Sequence, residues 1–88
     1  MKQIEISILV DTKEYQDYLD NIYTGITSKF SIKTIEITRT PKSITIENKS
    51  PTAIENNTFM LSVYRGLKGF GMIKGLIKSP NVKITKID

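Results

Sequence analysis

Eighty-eight residues, read as residues 1–88, suffice for one domain and are too few for two. The chain has neither cysteine nor histidine. That removes disulfides, thiolate or imidazole zinc sites, Ser–His and Cys–His nucleophile pairs and imidazole acid–base chemistry. The net charge of +4 is uneven: residues 1–57 hold seven Lys/Arg against eight Asp/Glu, and residues 58–88 hold six Lys/Arg against Asp88 alone.

Ile4, Ile6, Ile8 and Val10 alternate with Gln3, Glu5, Ser7 and Leu9, the pattern of a strand with one buried face. Asp11-Thr12-Lys13-Glu14 reads as a helix start, with Asp11 as N-cap and Glu14 reaching back. Tyr15, Tyr18, Leu19 and Ile22 then make one apolar helical stripe, and Gly25 is expected to stop the helix. Phe30 and Ile32 fall on one parity and Ile35 and Ile37 on the other, so a strand through all four needs a bulge near Lys33-Thr34. Arg39-Thr40-Pro41-Lys42 is a turn, and Ile44 and Ile46 continue in the partner strand of a hairpin.

Residues 48–57 are polar and read as a connection or a poorly formed first helical turn. A second helix is expected from Thr58, with Phe59, Val63, Leu67 and Phe70 within an arc of about 100°. Gly66, Gly69, Gly71 and Gly75 each cost about 1 kcal/mol against Ala in a helix interior. A break near Gly69–Gly71 is therefore expected, with Met72–Lys78 as a second short helix. Val82, Ile84 and Ile87 give a last short strand.

The order β-α-β-β-α-β predicts an α+β fold. The simplest architecture is a ferredoxin-like split βαβ sandwich: a four-stranded sheet, both helices on one face, and the second helix kinked. The other sheet face is then open. RNA-recognition domains share this element order and read bases through aromatics on their central strands. The corresponding stretches here, Ile4 to Val10 and Ser43 to Glu47, carry no aromatic residue, so that mode is disfavoured.

Asp11 at a strand–helix junction could serve a metal-dependent enzyme. A metal gathers several oxygen ligands, however, and no second acid lies close by, so capping is the better account. No catalytic residue is assigned, no cofactor is implied, and the expectation is a protein that is not an enzyme. Tyr15 and Tyr18 belong to the core stripe, which leaves Tyr23 and Tyr64 as candidates for stacking or an interface.

The remaining signal is the basic, glycine-rich segment Arg65-Gly66-Leu67-Lys68-Gly69-Phe70-Gly71 and its continuation through Lys74 and Lys78. It lacks the Gly-Lys-Ser/Thr of a phosphate-binding P-loop, and no strand directly precedes it as in dinucleotide folds. A Gly-rich turn opening a helix can still present N–H groups to a phosphate. Gly66-Leu67-Lys68-Gly69 has the GXXG form of KH domains, and Ile73 to Ile77 with Val82 to Ile84 is similar to the helix and strand that follow that loop. The likeness covers about 20 residues. It departs from the family at Tyr64-Arg65, where an apolar pair is usual, and at the additional Gly71.

That resemblance implies Gly66 and Gly69 as points of close backbone approach and Arg65 and Lys68 as phosphate contacts. Two further readings are an amphipathic lipid-surface helix and a kinked helix packed closely on the sheet.

Two functions follow as expectations. One is a binding module for RNA or single-stranded DNA, contacting nucleic acid through Arg65, Gly66, Lys68, Gly69, Lys74 and Lys78. The other is a protein-interaction or inhibitor module of the kind phage or plasmid elements encode, acting through the open sheet face or through edge-strand pairing into a homodimer. No run approaches the roughly 18 apolar residues of a membrane span, and no apolar leader is visible, so a cytoplasmic protein is expected.

Overall fold

The computed structural model describes the backbone of residues 1–29, 33–73 and 79–88, and the side chains of residues 1–28, 33–68 and 80–88. The chain is α+β. Its elements run β1 (Gln3–Ile8), α1 (Lys13–Lys29), β2 (Ile35–Thr40), β3 (Ser43–Asn48), α2 (Ile54–Ile73), a 3₁₀ turn (Ser79–Asn81) and β4 (Val82–Ile87). The strands form one sheet in the order β2-β3-β1-β4, with every neighbouring pair antiparallel. This is compatible with a ferredoxin-like arrangement.

One face of the sheet is dry. Ile4, Ile6, Ile8, Ile44 and Ile46 are buried, and register sets Ile4 opposite Ile46 and Ile6 opposite both Ile44 and Ile84. Tyr15, Tyr18, Leu19, Ile22 and Ile26 of α1 and Phe59, Met60 and Leu67 of α2 close over them in one core. Residues of β1 and β3 alternate faces, so one parity enters this core and the other reaches the opposite surface.

Four expectations are corrected. α1 does not stop at Gly25: Ile26 continues the stripe four residues after Ile22 and is buried, and that burial offsets the propensity cost of an internal glycine. The cap is Thr12 rather than Asp11, because Thr12 O accepts the first helical bond, from Gln16 N at 2.9 Å. Lys33-Thr34 is a turn preceding β2 rather than a bulge within it; Phe30 and Ile32 lie outside the described residues.

Most consequentially, α2 starts four residues before Thr58 and runs without interruption through Gly69–Gly71 to Ile73, so the expected break is not there. Buried Phe59, Met60 and Leu67 hold its inner face to the sheet, and tertiary packing overrides the glycine penalty. Residues 74–78, most of the expected second short helix, lie outside the described residues.

The early start of α2 depends on buried polar groups. Asn48 at the end of β3 and Asn56 in the first turns of α2 are 4% and 3% exposed. Asn48 Oδ1 accepts from Asn56 Nδ2 at 2.9 Å and from Ser50 N at 3.0 Å, while its Nδ2 donates to Met1 O at 2.9 Å. Asn56 Nδ2 also donates to Thr34 Oγ1 at 2.8 Å. The next residue, Asn57, accepts from the Met1 amino group at 2.9 Å and donates to Pro51 O at 2.6 Å. One set of amides thus ties the starts of β1, β2 and α2 to the end of β3.

Candidate nucleic-acid interface

The charge imbalance of the sequence becomes a spatial separation. On α1, Lys13 pairs with Asp17 one turn on, at 3.1 Å. Arg39 of β2 bonds Asp20 at 3.0 Å and Gln16 Oε1 at 2.7 Å, and Gln16 in turn donates to Asp11 Oδ1 and Pro41 O. Asp11 is thereby part of a polar seam joining α1 to the β2–β3 turn. Among the described residues no group of three or more Asp or Glu side chains is arranged to hold a metal.

The open sheet face is polar and partly acidic. Thr38, Thr45, Glu5 and Thr85 lie side by side across the four strands. Glu36 and Glu47 stand directly opposite each other, a repulsive pairing relieved by Lys49, whose Nζ lies 2.5 Å from Glu36 Oε2. The Glu36 carboxylate, and to a smaller extent Glu47, holds the Lys49 amine above its ordinary value.

The flank formed by α2 and β4 is different. Tyr64 is half-buried against the core, and Lys68 follows it one helical turn later on the same flank. Lys68 Nζ lies 5.0 Å from the centroid of the Tyr64 ring. Lys86 of β4 reaches the same ring from the sheet, at 5.2 Å. Lys86 stands opposite Ile4 and so on the helix side of the sheet, whereas Lys83 takes the other parity and faces away. Arg65, next to Tyr64, is exposed. Among the described residues the three ion pairs use Lys13, Arg39 and Lys49, and none uses Arg65, Lys68, Lys83 or Lys86.

The residues singled out from the sequence are dispersed by this geometry. Gly66 and Gly69 lie inside α2, well past its first turn, so helical bonds engage the N–H groups that a phosphate-binding turn or a GXXG clamp would offer. At about 100° per residue, Gly66 is turned some 200° from Tyr64, and the two flank opposite sides of the helix. A Cβ added at Gly66 would meet nothing within 4 Å, so the fold does not require glycine there. Arg65 and Lys68 are both exposed, and Lys74 and Lys78 lie outside the described residues. Leu67, which a lipid-surface helix would turn outward, is buried.

Sequence reasoning missed Lys86 as a partner of Tyr64. The signal available was the +5 charge of residues 58–88, but the pairing of β4 with β1 is what places Lys86 on the helix side.

These features describe a small α+β sandwich with an unpaired cationic flank around a tyrosine. The chain matches no protein-family model, no curated protein and no solved structure. Among the described residues no helix is long and apolar enough to cross a membrane.

Proposed function

We propose that this chain is a non-enzymatic binding module, built as a ferredoxin-like split βαβ sandwich, that holds RNA or single-stranded DNA against the flank of α2 and β4. The observation that carries this reading is the convergence of Lys68 and Lys86, from separate elements, on the Tyr64 ring with no carboxylate paired to either among the described residues. Neither ammonium group is taken up by a carboxylate within ion-pair distance among the described residues, so an entering phosphate displaces no internal counter-charge partner. Arg65 extends the same charge along α2.

Polyanion binding of this kind releases counterions, so affinity falls steeply as salt rises. The test is fluorescence anisotropy with short labelled single strands of mixed sequence over a salt series. Binding at low salt with a strongly negative slope is expected, and the double variant Lys68→Glu/Lys86→Glu should abolish it. No binding at low salt, or an affinity indifferent to salt, overturns the proposal.

A protein-interaction or inhibitor role for the open sheet face has less support. That face is rich in Thr, Ser and Glu, and Ile87 is the one large exposed apolar residue within the strands among those described. Edge pairing into a homodimer is opposed by Lys83 and Lys86 on edge strand β4, since edge lysines discourage strand addition.

A further inference from the structure

We infer that Tyr64, Lys68 and Lys86 form a single-nucleotide subsite that takes an unpaired base on the tyrosine ring and its flanking phosphates on the two lysines. This inference rests on the nucleic-acid reading above and deepens it, because it selects single strands over duplex. Tyr64 is half-buried against the core, so the ring is already fixed before any ligand arrives. Tyr15 and Tyr18 are not available in this way: both are buried, and the Tyr15 hydroxyl accepts from Asn81 Nδ2 at 2.9 Å.

At present the Tyr64 ring is engaged by the ammonium groups of Lys68 and Lys86, at 5.0 and 5.2 Å from its centroid. A cation over a partly exposed ring is a weak contact, whereas a base stacked on an aromatic ring is a stronger one and tolerates any base. Exchange of a lysine for a base is therefore favourable. The displaced ammonium remains tethered beside the ring, where the phosphate next to the stacked base must pass. In a duplex the base faces are buried in the helical stack, so only the lysines would find partners.

The test compares three ligands on the unmodified protein at one salt concentration: a labelled single strand, its duplex, and a strand of the same length built from abasic sugar–phosphate units. The single strand should bind roughly tenfold tighter than the abasic strand, with a similar salt slope. Tyr64→Leu, which keeps an apolar side chain against the core, should lower single-strand affinity to the abasic level. Equal affinity for the normal and abasic strands, or a preference for duplex, overturns the subsite while leaving phosphate binding in place. No binding to any of the three removes the nucleic-acid reading itself. Capture by phosphatidylglycerol vesicles with no binding to oligonucleotides would assign the same cations to a lipid surface and overturn both.

Discussion

The amide network around Asn48 and Asn56 and the cationic flank around Tyr64 treat polar groups in opposite ways. In the first, polar side chains are almost wholly buried and bonded to elements distant in sequence. In the second, the cations are exposed and no carboxylate lies within ion-pair distance of them among the described residues. Burying a polar group stabilises only if its partners are supplied, so the amides must be read as part of the fold. Exposed unpaired charges contribute little to folding and are free to meet a ligand. Substitutions in the first region should therefore cost structure, and those in the second binding alone.

The largest effect is expected from Asn48→Leu. It would leave Met1 O, Ser50 N and one bond of Asn56 Nδ2 without their partner, and a stability loss of about 3 kcal/mol is expected from two or three such groups. Urea unfolding monitored by circular dichroism measures it. A loss below about 0.5 kcal/mol, the range of ordinary surface substitutions, would mean that the network does not hold the strand starts together.

Lys86→Gln probes the other region. Its stability should stay within about 0.5 kcal/mol of the parent, while the salt slope for single-stranded oligonucleotide becomes shallower by about one phosphate contact. A clear drop in melting temperature from Lys86→Gln would erase the distinction between the two regions.

Much of the scaffold was legible because one-sided burial writes a period-two pattern. Ile4, Ile6 and Ile8, like Ile44 and Ile46, announce their strands without reference to anything distant. The start of α2 was not legible, since Asn56 is buried through partners in β3 and before β2 that only the folded chain brings near. The glycines misled for a related reason: propensity is a local quantity, and Ile26 and Leu67 hold their helices through contacts made across the core. At the candidate site, Arg65 and Lys68 were visible as charges. The meeting of Lys86 with Tyr64 depends on strand register, which residue type does not encode.

Smaller effects should appear at the extremes of pH. Burial holds the Tyr18 phenol above its ordinary value of 10.0, and Glu36 holds the Lys49 amine above 10.5. Both groups are more readily deprotonated in the unfolded chain. Their contribution is complete below those ordinary values and is lost as pH rises through the higher folded ones. Melting temperature should therefore decline above about pH 10, and the Tyr18 phenolate should form only above its ordinary value of 10.0, a delay that Lys49→Met leaves intact.

At the acid end, Glu14 is held below 4.5 by its own backbone N–H and by Thr12, so its contribution is lost as pH falls through the lowered value. Thr12→Ala should weaken that acid-side dependence without touching the alkaline one.

Gly66→Ala is the smallest change and the most discriminating. An added methyl group meets nothing within 4 Å, and the position lies inside a helix, so alanine should stabilise the protein by about 0.5–1 kcal/mol. Because Gly66 and Tyr64 face opposite sides of α2, oligonucleotide affinity should not change with it. A clamp that used Gly66 for close backbone approach predicts the reverse, a loss of affinity whatever happens to stability. Parallel measurement of unfolding and binding on this one variant thus decides whether the ligand lies over the Tyr64 flank or on the far side of the helix. If alanine stabilises the fold and weakens binding together, the glycine is kept for a partner, and the interface belongs on the side of α2 away from Lys86.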